Sequence, residues 1–458
     1  MNNNYNDEQI TKDVTERLEA AGVIVPDILL PDAAKCDLRK WSVVACDQFT
    51  SQPAYWKNID KYVGSSPSAL RLILPEAYLS DHFGERVAAI RRTMDEYLAA
   101  GIFAEPFRGF ILTERIFADN PPGVRRRWGL IIAVDLEKYD FSPDARTLIR
   151  PTEATIRGRL PPRADIRRGA PLELPHAMLL ADDRECSLIE PLAAEAAADR
   201  RRIIYDFELL AGGGHIRGYA VTGKALQKAA FAVERLLASA ESASDAPMLF
   251  AVGDGNHSLA AAKMCWDELR ARIPEAQQKA HPARYTLVEL LNLHSEAAVF
   301  EPIHRAVYNI SYKDALDEIC AYFKDNGVSV TVSEQAAPET AAPSPRAGFA
   351  YKIIYGCGKT MVLHVEKPKA KLAATEIQRF IDYLCGKYRT VAIDYIHGAD
   401  ELSRLAREEG CVCLELPPVE KKEFFSFVSQ HGIMPNKAFS LGNAKEKRHY
   451  LEARRIAP

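Results

Sequence analysis

The sequence predicts a mixed α/β protein, with a large main domain and a smaller C-terminal α/β part. The chain has 458 residues, enough for two or three domains of ordinary size. Its residues are 47% hydrophobic and 26% charged, which is typical of globular proteins. Apolar runs of strand length alternate with segments of helical periodicity along the chain, and this alternation predicts the fold class.

Charge and cysteine content narrow the class of protein further. A formal net charge of -3 provides no chain-wide attraction for nucleic acid or an anionic membrane. Nowhere do 18 apolar residues run together, and no basic and apolar signal opens the chain. The nine cysteines have no paired spacing, so neither a disulfide framework nor a zinc site is indicated. We therefore expect a cytoplasmic protein that binds a small molecule, with no nucleic-acid or membrane partner.

The first third of the chain predicts strands, one long helix and an arginine-rich loop. Strands are expected at 41–46, 110–112 and 128–134, with a loop at 120–123. Apolar residues at helical spacing predict an amphipathic helix over 82–100. After residue 149 several arginines follow one another up to residue 168. That stretch is either a solvated basic surface or a phosphate clamp, because guanidinium groups match phosphate oxygens well.

The middle of the chain predicts strands on both sides of a long helix. A buried strand is expected at 177–180, and a hairpin joins 202–207 to 216–221. The three glycines at 212–214 indicate the hairpin turn more than a phosphate loop, because a strand follows them. A helix is expected at 223–240, then a strand at 248–252, a helix from Ser258 to about Ile273, and a strand at 286–293.

The end of the chain is set apart by a low-complexity stretch. Residues 333–347 are rich in Ala, Pro and Ser and predict a linker or loop. The predicted domains are therefore 1–332 and 348–458 on either side of it. A hairpin is expected from 349–355 to 360–365, followed by helices near 371–385, 399–409 and 420–430.

The segment Gly253-Asp254-Gly255-Asn256-His257-Ser258 is the strongest functional candidate. An apolar strand feeds a glycine loop that opens directly onto a helix. Asn256 is a favourable N-cap, and the free N–H groups of the first helical turn attract phosphate or carboxylate. Asp254 is a candidate ligand for Mg²⁺, and His257 is a candidate proton donor or phosphate contact. The simpler interpretation is a strand-to-helix turn with a capping Asn, which leaves the crowded Asp and His unexplained.

Other candidates carry weaker signals. Glu153 lies among arginines and is either a general base or a surface ion-pair partner. Arg150, Arg157 and Arg159 are candidate phosphate ligands. His304 and Arg305 are candidate substrate contacts, although single residues without a spacing signal more often have structural or supporting roles. The same holds for His176 and Asp47.

Several of these segments resemble a widespread bacterial and archaeal family known as domain of unknown function 1015. The resembling stretches are 41–49, 150–155, 172–176, 253–263, 283–285, 300–305, 394–398 and 439–455. The likeness spans nearly the whole chain. It implies a family membership without implying a defined reaction.

A shorter likeness is more specific. Asp254-Gly255-Asn256-His257 is similar to the Asp-Gly-x-His-Arg motif of free serine kinases with the ParB/sulfiredoxin-like fold. That resemblance implies a loop that binds nucleotide phosphates and a glutamate base, for which Glu153 is the candidate. Ser258 stands where the motif has arginine, and the arginines at 157, 159 and 163 are candidates to compensate.

These observations lead to one expected function and two alternatives. We expect a small-molecule phosphotransferase or phosphohydrolase that acts on serine or phosphoserine with Mg²⁺ and ATP or ADP, because phosphoryl transfer depends on positioning and charge neutralisation. A non-catalytic regulator that senses nucleotide or amino acid is the main alternative. Nucleic-acid binding is disfavoured, because no aromatic residue lies among the arginines.

Overall fold

The computed structural model describes residues 13–117, 125–334, 348–356, 358–408, 410–435 and 437–458. The predicted loop at 120–123 and nearly all of the predicted linker at 333–347 lie outside these residues. The mixed α/β class is confirmed, because strands and helices alternate and both parallel and antiparallel pairs occur. Among the described residues, no helix is long and apolar enough to cross a membrane.

The strands are β1 (Val23–Ile24), β2 (Asp27–Ile28), β3 (Val43–Val44), β4 (Phe107–Arg108), β5 (Phe110–Phe117), β6 (Arg125–Asp135), β7 (Ile149–Arg150), β8 (Leu172–Glu173), β9 (Met178–Ala181), β10 (Ile203–Glu208), β11 (His215–Val221), β12 (Phe250–Asp254), β13 (Tyr285–Asn292), β14 (Phe300–Tyr308), β15 (Ser329–Ser333), β16 (Gly348–Tyr355), β17 (Lys359–Glu366), β18 (Ala392–His397), β19 (Cys411–Glu415), β20 (Phe439–Leu441), β21 (His449–Tyr450) and β22 (Arg454–Arg455).

The helices are α1 (Leu38–Trp41), α2 (Pro53–Val63), α3 (Phe83–Ala99), α4 (Leu160–Arg167), α5 (Ile189–Ala198), α6 (Gly223–Ala243), α7 (Asn256–Arg270), α8 (Glu275–Gln278), α9 (Tyr312–Asp325), α10 (Ala373–Lys387), α11 (Ala399–Leu405) and α12 (Lys421–His431). Residues 13–20 are also helical. The predicted helices at 82–100 and 223–240 are confirmed.

The chain divides into two compact units. Unit 1 comprises Met1–Ala298, Phe425–Ile433 and Ala444–Pro458, and unit 2 comprises Val299–Phe424 and Met434–Asn443. This division differs from the predicted boundary at 333–347, because β14, α9 and β15 already belong to unit 2. A linker-like composition is a local property, whereas β14 pairs with β18 and β19 far along the chain.

Unit 1 is built on a nine-stranded mixed sheet. Its strand order is β10-β11-β5-β6-β13-β9-β12-β7, and β1 pairs with β6. The predicted hairpin of β10 and β11 is confirmed as an antiparallel pair. At the other end of the order, β12 runs parallel to β7 and antiparallel to β9.

Both faces of this sheet are covered, because the central strands are apolar on both sides. Along β6, Leu130 and Ile132 enter one hydrophobic cluster while Ile131 enters another. The first cluster includes buried residues of α5, α6 and α7. The second includes buried residues of α2, α3 and the C-terminal segment. The sheet therefore lies between two layers.

Unit 2 contains a seven-stranded sheet of order β15-β17-β16-β19-β14-β18, with β20 paired to β14. The predicted hairpin of β16 and β17 is confirmed as an antiparallel pair. Helices α10 and α11 of unit 2 correspond to two of the predicted C-terminal helices, and α12, most of which belongs to unit 1, corresponds to the third.

Candidate functional site

Three distant segments of unit 1 meet at one edge of its large sheet. Strands β7 and β12 are parallel, so the residues after Arg150 and the loop after Val252 leave the sheet at the same edge. Strand β9 is antiparallel to β12 and pairs Met178 with Asp254, so β9 enters the sheet there. The residues before β9, including His176, therefore lie beside the Gly253–Ser258 loop.

The two glycines of that loop are required by close packing. A Cβ atom on Gly253 would lie 2.9 Å from Cγ of Leu180. Gly255 has a φ of +78°, and its Cβ would lie 2.9 Å from the backbone Cα of Ala177. Only glycine combines this left-handed conformation with so close a backbone approach.

The start of α7 corrects one prediction. Asn256 is the first helical residue and Gly255 occupies the N-cap position, with no side-chain cap. The left-handed turn at Gly255 begins the helix before Asn256 can cap it. The Asn256 Oδ1 atom instead accepts the Thr152 N–H at 3.4 Å.

The N-terminus of α7 presents backbone donors to the sheet edge. The Leu259 N–H is bonded to the Gly255 carbonyl oxygen at 3.0 Å. The N–H groups of Asn256 and Ser258 belong to the first helical turn, which the helix's own i to i−4 hydrogen bonds do not reach. Together with the dipole of a 15-residue helix, they favour an anion at this position.

The segment that contains Glu153 is bonded to the loop at three points. The Thr152 hydroxyl donates to the Val252 carbonyl at 2.6 Å, and its N–H reaches Asn256 as described. The Ile156 N–H donates to Nε2 of His257 at 3.2 Å. Half-buried Glu153 lies between these contacts. Because Nε2 accepts, a neutral His257 carries its proton on Nδ1.

The predicted arginines divide into two groups. Arg150 is only 3% exposed, and its guanidinium donates to the carbonyls of Thr147, Ala246 and Pro247. These bonds give it a structural task in place of the predicted phosphate contact. Arg157 and Arg159 are exposed on the short turn after Ile156, and neither has an ion-pair partner within the described ranges.

A lysine from the end of the chain completes the loop's surroundings. Lys447 Nζ lies 3.3 Å from Asp254 Oδ2, and the Lys447 side chain is only 8% exposed. It is placed by β21, which pairs with β3, and by the bond from the Ala45 N–H to the Arg448 carbonyl. A buried ammonium therefore lies beside the N-terminus of α7.

The pairing of β3 with β21 also places a hydrogen-bonded histidine. Asp47 Oδ2 lies 3.7 Å from Nε2 of His176, and the Tyr450 hydroxyl lies 2.6 Å from Nδ1. The same hydroxyl oxygen accepts the Cys46 N–H at 3.3 Å. The sequence indicated Asp47 and His176 only as single residues and did not indicate Tyr450 or Lys447. Their one signal was the family resemblance of 439–455.

The charges of these neighbouring side chains shift the pKa values of His176, Asp47 and Cys46. Burial opposes the charged form of His176, but the carboxylate of Asp47, with Asp254 and Glu76, raises the pKa of His176 above its usual value. Burial likewise opposes ionisation of Asp47, yet the charges of His176 and Lys447 hold its pKa well below the ordinary range. Burial and the Asp47 charge raise the pKa of the Cys46 thiol to about 12, so this cysteine is not a thiolate nucleophile at neutral pH.

His304 and Arg305 lie in unit 2, on β14. Nδ1 of His304 accepts the Leu416 N–H at 3.1 Å. Burial is the main cause that lowers the His304 pKa. Arg305 donates to Gln378 and to the Ile303 carbonyl, and its guanidinium lies over the Tyr395 ring. These contacts hold strands and helices of unit 2 together.

The donor set for a metal is limited. Within the described part of the chain, no three His, Cys, Asp or Glu side chains are grouped to hold an ion. Asp254 is the candidate ligand from the sequence, and it pairs with Lys447. Mg²⁺ commonly uses one or two carboxylates together with substrate phosphates. Asp254 therefore fits Mg²⁺ only as part of a phosphate complex.

Residues 29–384 match the model of a family described as "Protein of unknown function (DUF1015)". The protein belongs to the DUF1015 family. No curated protein matches the chain. The membership confirms the family resemblance found in the sequence and assigns no reaction.

Solved structures show only distant likeness to this DUF1015 protein. A free serine kinase mutant in complex with AMP has 12% identity and a TM-score of 0.35, covering 71% of this chain and 91% of that chain. A conserved hypothetical protein from Pyrococcus furiosus has 12% identity and a TM-score of 0.32, covering 70% and 90%. C-terminally truncated SbnI from Staphylococcus aureus has 10% identity and a TM-score of 0.34, covering 68% and 81%.

Proposed function

We propose that this protein is a small-molecule phosphotransferase or phosphohydrolase whose phosphate site is the N-terminus of α7. The observation that supports this most is the buried Lys447 ammonium, 3.3 Å from Asp254 and beside the first helical turn of α7. A buried cation and a helix N-terminus together favour a multiply charged anion over a neutral ligand.

Each residue near the site has a defined task in this proposal. Lys447 and the backbone N–H groups neutralise charge on the phosphoryl group. His257, whose Nε2 accepts from Ile156, donates from Nδ1 to a phosphoryl oxygen. Glu153 accepts the proton of the attacking hydroxyl or water, and exposed Arg157 and Arg159 bind the outer phosphates of a nucleotide.

Magnesium and a nucleotide are part of the same proposal. Asp254 would hold Mg²⁺ together with phosphate oxygens, and the ion would neutralise charge on the transferred group. The motif likeness of Asp254-Gly255-Asn256-His257 makes ATP or ADP the first phosphate donors to test. It makes serine and phosphoserine the first substrates.

The test is phosphorus NMR of the full-length protein with Mg²⁺. One sample contains serine with ATP or ADP, and the other contains phosphoserine alone. We expect phosphoserine to form or to disappear, and Asp254→Asn to lower the rate by about a hundredfold or more, as loss of a transition-state contact does. Asp245→Asn, at an exposed carboxylate of the same unit, is the matched control and should keep the rate.

A full rate in Asp254→Asn would refute the assignment of this site. Absence of turnover in both samples, with ADP still raising the melting temperature, would favour the non-catalytic regulator that senses nucleotide or amino acid.

A further inference from the structure

A pocket extends from the first turn of α7 into the interior of unit 1. It measures about 820 Å³, counting the solvent at its mouth, and Ser258 and Leu259 line it on the α7 side. His176 and Tyr450, the hydrogen-bonded pair described above, also line it. The pocket therefore begins where the proposed phosphate site ends.

Most of the remaining wall is aliphatic. Its apolar lining residues include Leu72, Leu74, Met94, Ile166 and Ala261. Leu72, Leu74, Met94 and Ala261 are buried. Ile166 is half-buried and packs against the hydrophobic cluster that includes the first three of them. Such a wall stabilises hydrocarbon and gives no charged partner to a ligand.

The charged side chains of the wall have ion-pair partners, some of them outside the wall. Arg167 lies 2.6 Å from Glu173, and the Thr286 hydroxyl donates to the same carboxylate at 2.9 Å. Arg163 pairs with Glu76. In each pair a carboxylate offsets the arginine charge, and among the described residues the buried Nη2 atom of Arg167 has no hydrogen-bond partner.

Serine would occupy only the polar mouth of this pocket. The aliphatic part of the wall would then have no hydrocarbon to pack against it, and its apolar surface would contribute nothing to binding. A ligand with a polar head at Ser258 and a hydrocarbon body fits the observed division into a polar mouth and an apolar interior.

We propose that the pocket binds the apolar body of an aliphatic alcohol or its phosphomonoester, larger than serine, whose head group reaches the N-terminus of α7. This inference rests on the proposed function for the chemistry of the head group. It adds that the substrate is selected by its hydrocarbon part.

The test is isothermal titration calorimetry of the full-length protein with three probes: inorganic phosphate, O-phosphoserine and hexyl phosphate. Each buried CH₂ group contributes about 0.8 kcal/mol, or about fourfold in affinity. The affinity for hexyl phosphate should therefore exceed the affinity for either other probe by more than about tenfold.

Two variants of pocket residues distinguish binding of the ligand's hydrocarbon body from binding of its head group. Ala261→Leu fills the pocket and should remove most of the gain of hexyl phosphate while leaving the affinity for inorganic phosphate unchanged. Ile166→Ala removes contacts at a half-buried position and should lower hexyl phosphate affinity severalfold, again without effect on inorganic phosphate. The second variant keeps the test decisive if the first does not fold.

Equal affinity for all three probes would overturn the inference and leave the phosphate site standing. The opposite result is that no phosphate probe binds, that 1-hexanol still binds, and that Ala261→Leu abolishes the binding of 1-hexanol. It would refute the proposed phosphate site and support the apolar pocket.

Discussion

Replacing Gly255 with alanine should show how much stability the close packing of the Gly253–Ser258 loop contributes, in addition to the left-handed backbone conformation. Gly255 has φ +78° and ψ 27° at the N-cap of α7. A Cβ atom there would lie 2.9 Å from Cα and 3.3 Å from Cβ of Ala177. Because the nearest of these atoms belongs to the backbone, it cannot move aside as the end of a flexible side chain can. We expect the loop, not Ala177, to shift.

The size of the effect follows from two costs. An alanine in the left-handed region costs about 1–2 kcal/mol. Forcing a methyl group into packed surroundings costs a further 1–3 kcal/mol or so. Gly255→Ala should therefore destabilise unit 1 by roughly 2–5 kcal/mol. Gly223, at φ +53° with nothing within 4 Å of its Cβ position, is the matched control. Gly223→Ala should incur only the first cost.

Urea unfolding followed by tryptophan fluorescence measures this difference. All four tryptophans lie in unit 1, at positions 41, 56, 128 and 266, so the signal reports that unit. Gly255→Ala should also weaken phosphate binding by about tenfold or more, because the displaced donors lose their alignment. If the two variants lose equal stability and bind phosphate equally well, the close approach to Ala177 does not fix the loop.

Two further predictions concern the charges around the site. Lys447→Met should weaken phosphate binding by about tenfold or more, because it removes the buried partner of Asp254. Lys228→Met, at an exposed position, is the control and should change phosphate binding little. If calorimetry gives the two variants equal affinity for phosphate, Lys447 does not have the proposed role. The raised pKa of His176 means that its ionisation stabilises the fold below the unfolded value, about pH 6.5, and that this contribution is lost as the pH rises through the folded value. His176→Gln should therefore cost more stability in urea unfolding at about pH 5.5 than at about pH 8.5. His281→Gln should show the opposite trend with pH, because burial lowers the His281 pKa. If His176→Gln lowers the stability equally at both pH values, the ion pair of His176 with Asp47 is refuted.

The strand, loop and helix around Gly253–Ser258 could be predicted from sequence because every signal is local. The apolar run at 248–252 and the glycines predict a strand followed by a turn, and the structure has β12 and α7 there. The predicted cap at Asn256 was wrong for a three-dimensional reason. Gly255 is pressed against Ala177, and a left-handed residue at that point starts the helix at Asn256. Sequence periodicity contains no information on that contact.

The partners of the loop could not be predicted, because they come from distant strand pairings. Lys447 reaches Asp254 only because β21 pairs with β3. The arginine-rich neighbourhood of Arg150 predicts a phosphate ligand, yet the Arg150 guanidinium binds carbonyls almost a hundred residues away, at Ala246 and Pro247. A residue type alone does not distinguish a guanidinium that binds ligand from one that binds backbone.

The segment Ala444–Pro458 gives the site its chemical character. It returns to unit 1 after the chain has passed through unit 2, and it contributes both Lys447 and Tyr450. Without Lys447, the carboxylates of Asp47 and Asp254 would repel an anion at the N-terminus of α7. The attraction of the helix dipole for an anion is too weak to offset this repulsion. Without Tyr450, His176 would lose the hydroxyl that fixes its ring. The proposed anion site at this sheet edge therefore depends on the end of the chain as much as on the glycine loop that first indicated it.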